Sequence, residues 1–329
     1  MTAEPASRGI PGWIGPFAVF ALTYFLAALL RAVTATLAPS FSAEFALGAA
    51  DLGLLAGAYF LGFSLLQLPL GAALDEWGPR RVELTLLVLA VLGCALFAAA
   101  GGFVQLVLAR MLIGMGVAAC LMAPLTYFRR HFTPELQLRC NSWMLMTGSL
   151  GMVASTVPVQ MLLPAWGWRG LFWALCVLLA VAAAALALWL PRDGVRVAPP
   201  AGQAPARYAD IVRHPQFVRM APMGLVLYGG MIALQALWAG PWLTQVCGWS
   251  PTKASQGLLM INTGMLFAFM GWGMVMPALT RRGWSVRTML VCGVPVSLRR
   301  MTATRPSAWV NWRLTSSTVL FIEAAKQSS

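Results

Sequence analysis

Charge is what this chain has least of. Only 10% of its 329 residues are Asp, Glu, Lys or Arg, whereas a soluble domain carries roughly 25%. Acidic residues are the scarcer kind, 10 against 23 Lys and Arg. So few charges cannot cover a water-facing surface. With 59% hydrophobic residues and a mean hydropathy of +0.74, the chain has lipid as its main solvent. Histidine is nearly missing as well. His131 and His214 both sit in basic stretches, and no Ser-His-Asp set or metal cluster can be assembled from them. Catalysis is therefore not expected, nor is any cofactor. The six cysteines, Cys94, Cys120, Cys140, Cys176, Cys247 and Cys292, contain no C-x-x-C pair and lie in or beside apolar runs. They read as small buried hydrophobes, which argues against a disulfide framework or a zinc site. A Gly-x-x-x-x-Gly-Lys-Ser phosphate loop is absent, so ATP does not drive the chain directly. The net charge of +13 is scattered between apolar runs. It reads as a membrane topology signal rather than a nucleic-acid surface.

What the chain does have is long apolar runs. A lipid-crossing helix needs about 20 mostly apolar residues. Candidate spans cover 17–38, ending at Pro39, then 52–70, 82–100, 103–127, 143–163 and 171–190, closed by Pro191. A polar Pro- and Gly-rich stretch follows. Two further spans cover 220–246 and 257–279, and a ninth begins near Thr288 but loses its character at Ser297. The expected organisation is a six-span bundle at 1–191, a cytoplasmic linker at 192–215, a partial second bundle at 216–298 and a polar tail at 299–329. Arg and Lys mark the cytoplasmic side. Arg80, Arg81, Arg129, Arg130, Arg139 and the linker arginines fall on one side, and the alternate loops hold Glu44, Asp51, Arg169 and Lys253. This predicts a multi-pass protein of the plasma (inner) membrane with a cytoplasmic amino terminus.

Between the second and third spans stands Gly71-Ala-Ala-Leu-Asp-Glu-Trp-Gly-Pro-Arg-Arg81. It reads as a short charged hairpin between antiparallel neighbours. Gly71 and Gly78 would allow close approach and a tight turn, and Asp75 would face Arg80 and Arg81. The pattern resembles the Gly-x-x-x-Asp-x-x-Gly-x-Arg-Arg/Lys signature of the major facilitator superfamily, with Glu76 standing where that family often has Arg. Other landmarks are similar to the family's. Arg110-Met-Leu-Ile-Gly-Met-Gly116 matches its Arg-x-x-x-Gly-x-Gly. Trp166-Gly-Trp-Arg-Gly-Leu-Phe-Trp173 resembles its Gly-Trp-Arg-x-x-Phe. A weaker echo follows at Leu279-Thr-Arg-Arg-Gly283. The resemblance implies an all-α membrane bundle of two six-helix halves. It implies a secondary transporter working by alternating access on a small solute, with a proton as a possible coupling ion.

Several polar residues inside the spans are candidates for that work. Arg31 lies in the first span, with Tyr24 and Thr34 on its face at i−7 and i+3. A charge at such depth costs several kcal/mol unless it faces protein or water, on the order of 3 or more. Its bidentate fork suits carboxylate or phosphate, and in organic-anion members of the family an Arg on the first span binds the anion. The alternative is a structural Arg that snorkels or pairs with backbone carbonyls. Arg110 is the second buried cation. Gly114 and Ala118 follow it at steps of four, a small-residue packing ridge. Tyr59 and Gln67 share a face of the second span. Gln235, Trp238 and Trp242 follow i, i+3, i+7 spacing in the seventh, and Asn262 lies in the eighth. The resemblance makes Tyr59, Gln67, Gln235, Trp238 and Asn262 cavity contacts. For Tyr59 and Gln67 core packing is the commoner explanation, and Gln235, Trp238 and Asn262 are equally compatible with it. No Asp or Glu stands clearly within spans one, four, five, seven or eight, so no carboxylate relay is visible there.

The family pattern stops short at the carboxyl end, where the ninth span breaks into Arg-rich polar text. A full member has about twelve spans. The expectation is a complete first half, an incomplete second half and a frameshift or premature stop. The alternative to a frameshift is a genuine short variant with a cytoplasmic tail, and the competing functional reading is a truncated membrane remnant that transports nothing.

Overall fold

The computed structural model describes residues 12–191, 212–233, 239 and 242–282. Every regular element among these residues is helical. Two compact units divide the chain, Met1–Val275 and Met276–Ser329, and the described part of the second is the end of one helix.

Helix α1, Ile14–Phe45, runs through Pro39 instead of ending there. Proline inside a helix removes one backbone bond and crowds the carbonyl four residues back. Leu37 and Phe41, on either side, are fully buried, so tertiary packing carries the helix across the defect. It closes at Ala46, in the left-handed region at φ 52°.

The expected loop of the signature shrinks to one residue. Helix α2 covers Ala49–Trp77 and α3 covers Pro79–Ala98, with Gly78 alone between them. Gly78 has φ 84° and ψ 159°, a conformation that favours glycine. Pro79 then opens α3 at N1, where a missing N–H is harmless.

The fourth span is broken into α4, Phe103–Gly116, and α5, Met122–His131. At the break, Ala118 and Cys120 bond three residues back, to Met115 and Val117. Pro124 accounts for it, since it cannot donate to the Cys120 carbonyl and its ring crowds that group. Helix α6, Pro134–Ala154, is followed after Ser155 and Thr156 by α7, Val157–Trp189. Gly167, at φ 62°, interrupts α7. The boundary between the fifth and sixth spans therefore falls at Gly167.

The broad contacts are α3 with α4, α2 with α4, α3 with α7, and α1 with α6 and α7. Helices α2 and α3 touch only lightly, which corrects their expected pairing as close neighbours. Helix α4 comes between them. Gly114 lies against the Tyr59 backbone of α2, and Gly116 against Ala90 of α3. Aromatic clusters close both ends of the core. Phe97 stacks on Phe172 at 4.0 Å, with Trp168 and Phe41 edge-on. At the Arg-rich end, Phe17 and Phe20 of α1 pack on Phe128 of α5.

By length and composition, α1, α2, α3 and α7 can each cross a membrane. Further along come α8, Pro215–Gly224, a π-turn at Leu225–Gly229, α9, Gly230–Ala233, a second π-turn at Trp242–Val246, and α10, Pro251–Arg281. The expected eighth span lies inside α10. The seventh is described in part. The ninth span, the polar tail and most of the linker lie outside the described residues.

Candidate functional site

Three helices meet at the Leu30 carbonyl of α1. Arg110 Nη1, from α4, donates to that oxygen at 3.0 Å. A helical carbonyl already accepts from the amide four residues on and still has a second lone pair, and the guanidinium uses it. The same guanidinium lies 4.7 Å from the centre of the Tyr59 ring, on α2. A desolvated cation over an aromatic face is worth about 2 kcal/mol. Arg110 and Tyr59 are both buried.

Gly114 makes the approach possible. A Cβ at this position would collide with the Tyr59 carbonyl, so α4 sits on α2 only because residue 114 has no side chain. One turn before it, Arg110 is thereby delivered onto the Tyr59 ring.

Arg31 follows Leu30 directly and is half-buried. Thr34, four residues past Leu30, is buried. Among the described residues, Thr34 Oγ1, Tyr59 OH and Arg110 Nε are buried with no hydrogen-bond partner. Arg110 and the Tyr59 ring thus meet beside Leu30, with Arg31 the next residue on α1 and Thr34 one turn further along it. Tyr24 stands nearly two turns before Leu30 on α1 and packs its ring on Gly148 of α6. Gln67 is half-buried on α2, and among the described residues it makes no hydrogen bond to the Arg110 cluster. Asn262 is buried in α10. Gln235 and Trp238 lie outside the described residues.

The signature residues are helical, and their partners differ from expectation. Gly71 is exposed on α2, and a Cβ there would meet nothing within 4 Å. The close approach expected at Gly71 is not made. Asp75 Oδ1 accepts from Arg130 Nη2 of α5 at 3.1 Å, with Arg129 Nη2 at 3.6 Å. It does not take the expected Arg80 and Arg81 as the partners of that oxygen. Arg80 instead donates to the Ala187 carbonyl of α7 at 2.6 Å, and Arg81 is exposed at the start of α3. The reason is Gly78, whose dihedrals carry the chain away from the last turn of α2.

Two features were missed in the sequence. At the end away from the signature, Arg169 grips Glu44 with both arms, Nη1 to Oε2 and Nη2 to Oε1, each at 2.7 Å. Trp168 Nε1 donates to Glu44 Oε2 at 2.9 Å, and Arg169 Nη2 to the Ala100 carbonyl at 3.0 Å. The Gly-Trp-Arg element by itself gives no hint of a partner 125 residues earlier. The second feature is Glu83, fully buried on α3 and bonded to Thr23 of α1. It is the second residue of the expected span 82–100, directly after Arg80, Arg81 and Val82.

An apolar groove of about 340 Å³ lies between α2 and α3, lined by Leu66, Leu70, Trp77, Val82 and Leu86 among others. It contains neither Arg31 nor Arg110.

Comparison with known proteins gives the frame for this geometry. The family model described as Major Facilitator Superfamily matches residues 20–313. A stretch of 177 residues, 52% of this chain, is 31% identical to the 4-hydroxybenzoate transporter PcaK of Pseudomonas putida and covers 38% of that protein. Among solved structures, a D-xylose–proton symporter is similar at TM-score 0.57 and 17% identity, over 76% of this chain and 66% of that one. A bacterial homologue of the human lysosomal transporter Spinster, in an inward-facing and unoccupied conformation, is similar at TM-score 0.59 and 20% identity, over 83% and 64%. These structures speak to the fold alone. The chain spans about two thirds of their length. With the family model matched over most of its residues, this chain belongs to the major facilitator superfamily.

Proposed function

We propose that this chain serves secondary transport of a small organic anion by alternating access, with Arg31 and Arg110 as the cationic side of the binding site. The observation that carries the reading is the arginine pair flanking Leu30. Arg110 is anchored on the Leu30 carbonyl and the Tyr59 ring, and Arg31, the next residue on α1, carries the planar fork that suits a carboxylate. The unsatisfied hydroxyls of Tyr59 and Thr34 are donors that an anion would meet in the same place. The likeness to a 4-hydroxybenzoate transporter supports an aromatic carboxylate as the substrate class. Gln67, Tyr24, Gln235, Trp238 and Asn262 are proposed to complete the cavity. The signature residue Asp75, with Arg129 and Arg130 of α5, is proposed to act as a gate on the cytoplasmic side of the inner membrane.

Proteoliposomes holding the purified chain test this. Uptake of labelled 4-hydroxybenzoate is expected, inhibited by other aromatic carboxylates and not by D-xylose. Competition by the neutral sugar, with no response to the carboxylates, would overturn the anion reading.

A further inference from the structure

We infer that Glu83 and Thr23 form a proton-binding site, and that Glu83 is the group through which a proton is coupled to anion binding. This rests on the anion site proposed above for its coupling half. The proton site itself stands on separate geometry.

The argument starts from a count of hydrogens. Thr23 Oγ1 lies 2.9 Å from the Phe20 carbonyl and 2.6 Å from Glu83 Oε1. A hydroxyl has one hydrogen to donate and lone pairs to accept. Both contacts can be full hydrogen bonds only if the second hydrogen comes from the carboxyl. In that state Glu83 donates to Thr23, and Thr23 donates to Phe20. When Glu83 gives up its proton, Thr23 turns its hydrogen onto the carboxylate, and the Phe20 carbonyl keeps its helical amide. The hydroxyl serves both states by rotating. Atoms balance simply, because one O–H bond forms or breaks at Glu83 and the proton is exchanged with water.

The surroundings make this a site and not a surface tie. Glu83 and Thr23 are each fully buried. Among the described residues, Glu83 Oε2 is buried with no hydrogen-bond partner. Burying an ionised carboxylate with one oxygen unsatisfied is costly, so the charged form needs the structure around it to change. That is the property a coupling group requires, since its protonation and the conformation favour each other.

The groups packed around α3 define what the proton can talk to. At the break after α4, Cys120 is buried. From α1, Arg31 lies two turns beyond Thr23. Arg110 of α4 is held at Leu30 and Tyr59. Tyr127 of α5 packs on Phe20. Cys176 of α7 donates to Val91, two turns further along α3. On α2, Asp75 is engaged by Arg130. A carboxylate at Glu83, bonded to Thr23, places negative charge about 12 Å along α1 from Arg31, where it opposes an incoming anion. A proton on Glu83 removes that competition. Anion and proton bind together, which makes the transport a symport.

The full chain in liposomes decides it with two readouts. Infrared difference spectra across a pH titration should show the carbonyl band of a protonated carboxyl in a dry site. That band should vanish in Glu83→Gln and shift in Thr23→Val, where the hydrogen-bond partner is gone. Glu83→Gln should also lose accumulation of 4-hydroxybenzoate driven by a pH gradient while keeping exchange of labelled for unlabelled substrate. Absence of the band in the wild type, or its persistence in Glu83→Gln, would overturn the proton site. Gradient-driven accumulation by Glu83→Gln at the wild-type level would overturn the coupling. If the wild type shows no exchange, the anion reading and the coupling fail together, while the infrared result still judges the proton site. Thr23→Val and Glu83→Asp supply the comparison should Glu83→Gln not fold.

Discussion

Asp75 and Arg130 meet across 55 residues of chain, Oδ1 to Nη2 at 3.1 Å, where the last turn of α2 passes the end of α5. Arg130 Nη2 also reaches the Leu74 carbonyl at 3.2 Å, so a single guanidinium closes the carboxyl end of α2. That end carries the negative pole of the helix, which a cation stabilises. The signature aspartate thus ties together two helices of the first bundle.

The pair is expected to contribute modestly, because the Asp75 side chain is 69% exposed. Exposed pairs of this kind are worth about 0.2–1 kcal/mol. A double-mutant cycle of Asp75→Asn and Arg130→Ala, read by thermal melting in detergent, should give a coupling energy in that range and below. Arg130→Ala alone should cost more than Asp75→Asn, because it also frees the Leu74 carbonyl. Equal costs with no coupling would show that the contact carries no stability.

Gly114 is predicted to be intolerant of any side chain. Its Cβ position coincides with the Tyr59 carbonyl, and overpacking of a core contact costs about 1–3 kcal/mol. Gly114→Ala should lower the melting temperature, and Gly114→Val should lower it further. Both should also disturb Arg110, which shares that turn of α4. A melting temperature equal to the wild type in Gly114→Val would mean that α4 and α2 do not approach as described.

The Glu44–Arg169 grip is predicted to depend on the fork and not on charge alone. Lysine offers a point charge and cannot hold both carboxylate oxygens and the Ala100 carbonyl in one plane. Arg169→Lys should therefore lose most of the stability lost in Arg169→Ala. Melting curves of the two variants side by side check this. A lysine variant as stable as the wild type would reduce the contact to simple charge pairing.

Much of the bundle is legible in the sequence because lipid imposes a crude rule. Long apolar runs become helices. The ranges of α2 and α10 contain the runs that announce them, and α3 covers all but the last two residues of its run. Rules about proline were less dependable. Pro39 looked like a stop, yet buried Leu37 and Phe41 carry α1 across it. Pro124 looked like part of a continuous span, yet the chain breaks before it. The two cases differ in the packing around the defect, which sequence does not display. Arg31 and Arg110 stood out because a cation within an apolar run has few explanations. Glu83 did not stand out, because it follows two arginines at the edge of a span, and its depth becomes evident only when α1 brings Thr23 against it. Asp75 was matched to the cations nearest in sequence. Its partners in space come from α5, and only the turn at Gly78 explains why.

The central claim is that Arg31 binds the carboxylate of the transported anion, and one measurement reaches it directly. Labelled 4-hydroxybenzoate uptake is followed in liposomes carrying the wild type, Arg31→Ala or Arg31→Lys, each verified as folded by its melting curve. The account predicts that Arg31→Ala abolishes saturable uptake. It predicts that Arg31→Lys retains uptake with weakened apparent affinity, because a point charge replaces a bidentate fork. Losing one charge-assisted hydrogen bond of two is worth about 1.5–3 kcal/mol, so the weakening should be about tenfold or more. Uptake by Arg31→Ala with the rate and affinity of the wild type would contradict the account.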